Sequence, residues 1–168
     1  EIPPDLNGAG STTHAGWFVQ PRPEGVRCLV VASGGATTAR TKDGNVLEVF
    51  ASALPNGSEA TAAGRDVFCI LDCVFHEPHN AFYATDLMCW RGRSLFDSPA
   101  DVRQFWLHSR LAEEPGVAAH GAEHENKYAF LPVPCYECDV AGLEAAYRGA
   151  DSAFARDGLL FVNKAAHY

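Results

Sequence analysis

Two long apolar runs lie on either side of a turn, and between them they settle much of what this chain can build. Val67-Phe68-Cys69-Ile70-Leu71-Asp72-Cys73-Val74-Phe75 is apolar nearly throughout, Pro78-His79-Asn80 turns it back, and Ala81 to Trp90 follows up to Arg91-Gly92. Runs of this length, bounded by turn residues and rich in β-branched and aromatic side chains, read as adjacent strands at the centre of an antiparallel sheet. Upstream, Arg27 to Ser33 is a further strand. Gly34-Gly35 turns after it, and Asn45 to Phe50 follows the turn signal Asp43-Gly44, giving a hairpin or two successive strands of a meander.

Helical patterning is confined to two places. Ser98-Pro99-Ala100-Asp101 has a serine cap, proline at the first helical position and an acid three residues past the cap, and Val102, Phe105, Trp106 and Ser109 then share a face. Asp139 caps a second helix through Leu143, Ala146 and Tyr147, before a closing strand from Gly158 to Val162. Glu113 to Glu125 is polar and reads as a loop. Runs of strands with segregated helices predict an α+β fold, mainly antiparallel sheets with a few flanking helices. Residues 1–16, with Pro3-Pro4, Asn7-Gly8 and Ser11-Thr12-Thr13, form an expected lead-in loop to a single domain over 17–168.

The chain has 168 residues, 47% hydrophobic and 20% charged, which is enough apolar material for one core. No apolar run approaches the ~18 residues of a membrane span, and Glu1-Ile2-Pro3-Pro4 lacks the layout of a secretory signal, so a soluble, intracellular domain with no membrane partner is expected. A net charge of −8 argues against broad binding to nucleic-acid backbones. Any RNA contact must be local, served by a few placed cations. Four of the six cysteines (Cys28, Cys69, Cys73 and Cys89) lie in apolar runs and read as reduced core thiols. Cys135-Tyr136-Glu137-Cys138 has CxxC spacing but no second half-site, and among the histidines only His120 and His124 stand four apart, so no metal is expected.

Several segments resemble, in order, the motif series of the covalent nucleotidyltransferases, the mRNA-capping guanylyltransferases and polynucleotide ligases. Arg22-Pro23-Glu24-Gly25-Val26-Arg27 stands where that superfamily places Lys-x-Asp-Gly-x-Arg, Leu71-Asp72-Cys73-Val74 resembles its Asp-Gly-Glu strand, and Asp157-Gly158-Leu159-Leu160-Phe161 its Asp-Gly-Leu-Ile-Phe motif. The resemblance is closer to trimethylguanosine-cap-binding domains of the snurportin type. It is carried by Val31-Ala32-Ser33, Thr41-Lys42-Asp43-Gly44, Asp86-Leu87-Met88-Cys89-Trp90-Arg91-Gly92, Phe105 to Leu111 and His167-Tyr168.

That resemblance implies a guanylyltransferase- or ligase-like fold that binds the 2,2,7-trimethylguanosine cap of small nuclear RNAs. It further implies the cargo-reading domain of a nuclear import adaptor shuttling between cytoplasm and nucleus, with importin and exportin held through segments outside this chain. It implies no enzyme and no cofactor. The transferase nucleophile is a lysine amine, and Arg22 at that place stays protonated, while Val74 stands at the glutamate position. For cap contact the resemblance points to Arg22 and Arg27 on phosphate or ribose, Lys42 on the cap, and Ser33 as a neutral hydrogen-bonding group. Asp72 and Asp157 are possible pocket acids, with a structural role the alternative. The family's flanking tryptophans fall, by alignment of the ends, just before Glu1 and just after Tyr168, so a piece trimmed from a longer chain is expected. Trp17 is a further aromatic near the motif, either a stacking surface or the first core residue of a strand. Trp90 and Trp106 read as core. Two other functions remain open at this stage: a residual enzyme of the capping or ligase class, and a structural or interaction domain that has lost the cap.

Overall fold

The structure, a computed structural model, describes residues 16–121, 126–149 and 152–168. The expected lead-in therefore lies outside the described residues except for Gly16, as does His124. Among the described residues the chain forms two sheets and two helices. Strand β1 (Trp17–Pro23) leads to β2 (Val26–Ser33), β3 (Ala36–Thr41) and β4 (Val46–Phe50). After an irregular segment come β5 (Cys69–His76), β6 (Ala81–Trp90) and the short β7 (Arg93–Ser94). Helix α1 (Ala100–Glu113), β8 (Ala129–Pro132), β9 (Tyr136–Glu137), α2 (Val140–Arg148) and β10 (Arg156–Asn163) complete the order. The large sheet runs β4-β3-β2-β5-β6-β7 with β8 added parallel to β6, and the small one runs β10-β1-β9. The α+β architecture is the expected one.

The meander contains one strand more than its composition suggests. Ala36–Thr41 is made of small and polar residues, yet it pairs on both sides, with Thr37 and Ala39 fully buried. Its inward hydroxyl is satisfied, since Thr37 Oγ1 donates to the Gly57 carbonyl at 3.0 Å and lies 2.6 Å from Ser52 Oγ. Phe50, Phe82 and Phe130 form a triangle of near-parallel rings with centroids 5.3, 5.2 and 6.3 Å apart, and Tyr128 meets Phe50 edge-on. Trp90 is buried, as expected.

Helix α1 departs from the expectation in two ways. It starts at Ala100 with Pro99 in the cap position; Ser98 makes no side-chain cap bond, and its carbonyl instead accepts from Arg103. The buried stripe is Ala100, Arg103, Gln104, Leu107 and Leu111, while Val102 and Phe105 face solvent. Apolarity alone picked the wrong face, because Arg103 and Gln104 are buried through polar partners on β6. Trp106 is half-buried, packed against the core with the guanidinium groups of Arg93 and Arg110 on its ring. Helix α2 begins as read: the Asp139 side chain accepts from Gly142 N at 2.7 Å. Ala146 is buried and Leu143 packs beside it, but Tyr147 is exposed.

All six cysteines are free thiols. Burial pushes Cys28, Cys69 and Cys135 up to about 12, so they stay protonated near neutral pH.

Candidate functional site

The chain crosses from the small sheet to the large one at Glu24-Gly25, between β1 and β2. Gly25 has φ of 147°, and a Cβ there would stand 2.2 Å from the Phe75 carbonyl oxygen. Only glycine fits, and the tight turn keeps Arg22 and Arg27 on opposite walls of one cleft. The cleft measures about 430 Å³, within the range of small-ligand sites. β1 and β10 supply Arg22, Asp157, Leu160 and Val162; β2, β5 and β6 supply Arg27, Asp72, Val74 and Asp86. Tyr168 lies at its rim.

Each arginine of the motif holds an acid of a later motif. Arg22 Nε donates to Asp157 Oδ1 at 2.6 Å, and Arg27 grips Asp72 with two bonds, Nε to Oδ1 at 3.1 Å and Nη2 to Oδ2 at 2.5 Å. The hydrogen bond and the charge of each acid raise both guanidinium pKa values above their ordinary range. The Asp72 carboxylate is nearly buried, whereas the Arg27 side chain is 71% exposed and keeps N–H donors free for a phosphate. Tyr168 completes the group by donating its hydroxyl to Asp72 Oδ2 at 3.2 Å. Burial, then the charge of Asp72, raises the phenol pKa, so this donor stays protonated.

A third pair lies behind. Arg103 donates to both oxygens of Asp86 and to the carbonyls of Ser98 (2.6 Å) and Ala166 (2.9 Å). It thereby ties helix α1, strand β6 and the segment that carries Tyr168.

A second hollow opens on the other side of Arg27. It is lined by Arg27, Leu29, Arg40, Thr41, Lys42 and Tyr168. Lys42 sits at the tip of the β3–β4 hairpin, where Thr41 N bonds to the Asn45 carbonyl at 2.9 Å and holds the turn. Trp17 is half-buried. One side packs with Val19, Cys138 and Ala146, and it also lines a shallow hollow with Phe161, His167 and Tyr168. Ser33 does not join this group. It is exposed at the far end of β2, six residues beyond Arg27 and thus roughly 20 Å away at ~3.3 Å per residue, and it lines neither hollow.

Asp86, Arg103 and Tyr168 escaped the sequence reading as site residues. Asp86 and Tyr168 stand in segments that carry the family resemblance, and Asp86 is also an acid inside the apolar run Ala81 to Trp90, but neither signal says what the residue contacts. Nothing in sequence marks Arg103, because its role arises from contacts with distant elements. The nucleotidyltransferase chemistry implies a divalent ion, but the acids present do not suit one. Asp72, Asp86 and Asp157 are each taken by an arginine, and Val74 presents methyl groups where the enzymes' motif has a carboxylate. Among the described residues no three His, Cys, Asp or Glu side chains converge as metal ligands.

Comparison with known proteins bears on the fold and the family. The ligase domain of LigD from M. tuberculosis superposes with a TM-score of 0.59 at 19% identity, covering 90% of this chain and 49% of that one. A mycobacterial DNA ligase D complexed with ATP and MES gives 0.56 at 16%, covering 90% and 50%. A Lig E DNA ligase gives 0.51 at 17%, covering 92% and 57%. At such identities the likeness is one of fold, and the chain spans about half the length of the ligase chains it matches. The family model described as Snurportin1, m3G cap-binding domain, matches residues 5–168, and this chain belongs to that family.

Proposed function

We propose that this domain binds the 2,2,7-trimethylguanosine cap of small nuclear RNAs without transferring it, as the cargo-reading part of a snurportin-type import adaptor. The observation that carries the reading is the Arg22–Asp157 pair at the position of the ligases' nucleophile. Covalent nucleotidyl transfer needs a neutral amine to attack the α-phosphate. A guanidinium whose pKa is raised further by Asp157 supplies donors and charge but no nucleophile. Val74 removes a second requirement, the carboxylate that would help hold a metal.

The same cleft suits a methylated cap. Its N7-methylguanine is cationic and gains from an aromatic face, which Tyr168 offers among the residues lining the cleft, while Trp17 lines an adjoining hollow that shares Val162 and Tyr168 with it. The N2 methyl groups remove donors and add apolar surface, and Val74, Leu160 and Val162 give apolar contact. Arg27 and Lys42, on the two sides of the junction, supply the cations for the phosphate bridge. Importin and exportin contacts lie outside the residues described, and shuttling between cytoplasm and nucleus follows from the adaptor role.

A fluorescence titration with trimethylated and monomethylated cap dinucleotides tests the reading. Binding should prefer the trimethylated cap, and Lys42→Ala should weaken it by roughly 10- to 100-fold, the loss of one charged hydrogen bond of about 1.5–3 kcal/mol. No binding of either cap would leave the domain as a structural or interaction element. The ligase-like fold keeps an enzymatic reading in view, and that reading requires a covalent nucleotide adduct on incubation with labelled GTP and Mg²⁺.

A further inference from the structure

Beyond the cleft, the large sheet has a face that neither helix covers. Along β2, Cys28, Val30 and Ala32 point into the core, so Arg27, Leu29 and Val31 point the other way. The pairing carries this face outward: Leu29 stands opposite Arg40, Val31 opposite Thr38, and Thr38 opposite Val49 on β4. Helix α1 packs against β6 and β8, and α2 against β1 and β9, so among the described residues neither helix packs substantially on β2, β3 or β4. Val49 is 59% exposed.

The charges on this face are unmatched. Arg40 has no acidic partner among the described residues, and its one hydrogen bond goes to the Gly44 carbonyl at 3.3 Å. Lys42 beside it likewise forms no ion pair among the described residues. In a chain of net charge −8, two unpaired cations on an aliphatic floor that begins at the cleft present a local match for a polyanion.

We propose that this face is a track for the first nucleotides of the RNA strand behind the cap, running from Arg27 past Arg40 toward Val49. The inference rests on the cap-binding reading. Arg40 meets a phosphate of the strand, Lys42 stays with the phosphate bridge of the cap, and Leu29, Val31 and Val49 give the bases a flat aliphatic bed. From Arg27 to Val49 the path is four residues along and two strands across, roughly 16 Å at ~3.3 Å per residue and ~4.8 Å per strand. A strand of about four nucleotides, the shortest footprint of single-strand binders, suffices as a probe.

The test compares three ligands: a trimethylated cap dinucleotide, the same cap followed by four nucleotides, and the uncapped tetranucleotide. The proteins are the natural chain, Val49→Glu and Val49→Lys. The exposed position tolerates both variants, and they push binding in opposite directions. The extended capped RNA should bind more tightly than the dinucleotide. Its salt dependence should be steeper by about 0.7 per added phosphate contact, so the one contact at Arg40 costs roughly 2.6-fold more affinity between 50 and 200 mM salt. Val49→Glu should weaken the extended RNA severalfold and Val49→Lys strengthen it, with the dinucleotide unchanged in both. Equal affinities for dinucleotide and extended RNA would overturn the track and leave the cap reading intact. Equal binding of capped and uncapped extended RNA would keep the track and overturn the cap reading; binding of none would overturn both. Concentration-dependent self-association abolished by both Val49 variants, without an RNA effect, would make the face a contact between copies of this chain and overturn the proposal.

Discussion

On the proposed cap-binding reading, Arg22 is a phosphate grip at the position where the motif resemblance has a nucleophilic lysine. Restoring lysine does not restore the chemistry. An amine placed beside Asp157 is held as ammonium by the opposite charge, and Val74 still offers no carboxylate for a metal. Arg22→Lys should therefore give no radioactive protein band with labelled GTP and Mg²⁺, like the natural chain. A labelled band would show that transfer machinery survives in the cleft. At Arg27 the logic differs: its acid is nearly buried and its own side chain is not, so the arginine anchors at one end and remains available at the other. Tyr168 adds a protonated hydroxyl to the same carboxylate, which explains how Asp72 is tolerated inside an apolar strand. The sequence offered Asp72 as a pocket acid or a structural one; it did not say which arginine or tyrosine would come.

Helix α1 shows how an element can read correctly in place and wrongly in orientation. Its start near Ser98-Pro99 was visible, but Arg103 displaces the apolar residues Val102 and Phe105 from the buried face. Arg103 is 3% exposed, against 14% for Asp86, so truncation leaves a poorly solvated carboxylate without its counter-charge. Arg103→Leu should cost about 3–5 kcal/mol, the expected penalty for breaking a buried pair. At about 2–4 °C per kcal/mol for a domain of this size, melting should fall by roughly 6–20 °C. The exposed pair Arg148–Glu144 on α2 serves as the comparison, since a surface pair contributes only about 0–1 kcal/mol and Arg148→Ala should scarcely move the melting temperature. Arg103 also holds the Ala166 carbonyl, so a partly stable Arg103 variant should lose cap affinity through a loosened Tyr168. Strand β3 is the complementary case. Its residues have no strong strand signature, and it forms because β2 and β4 present hydrogen-bonding edges on either side.

At the scale of the whole molecule, pH couples to stability through histidines rather than through the cleft. Burial lowers the pKa of His108 and, together with the nearby His79, that of His76, both below the ordinary 6.5. The unfolded chain then binds more protons than the folded one between the folded pKa values and about 6.5, so stability rises with pH through that window and falls on acidification. Thermal melts at pH 7.5 and pH 5.5 should show the lower temperature at pH 5.5, and His108→Gln should reduce the difference. A melting temperature independent of pH over this range would contradict the burial of these rings. The large sheet also dictates where function sits, since one face builds the core and the other joins the small sheet at the cleft. From sequence alone came the strand runs, the two helix positions and the α+β class, and from a family resemblance the order of the motifs. The elements and the fold class depend on local periodicity and turn chemistry, which neighbours along the chain suffice to express. The pairing of Arg22 with Asp157 and of Arg27 with Asp72, the burial of Arg103, the arrival of Tyr168 and the remoteness of Ser33 were decided by tertiary structure. Each joins or separates residues across strands or whole elements, and only the closing of the two sheets sets those distances.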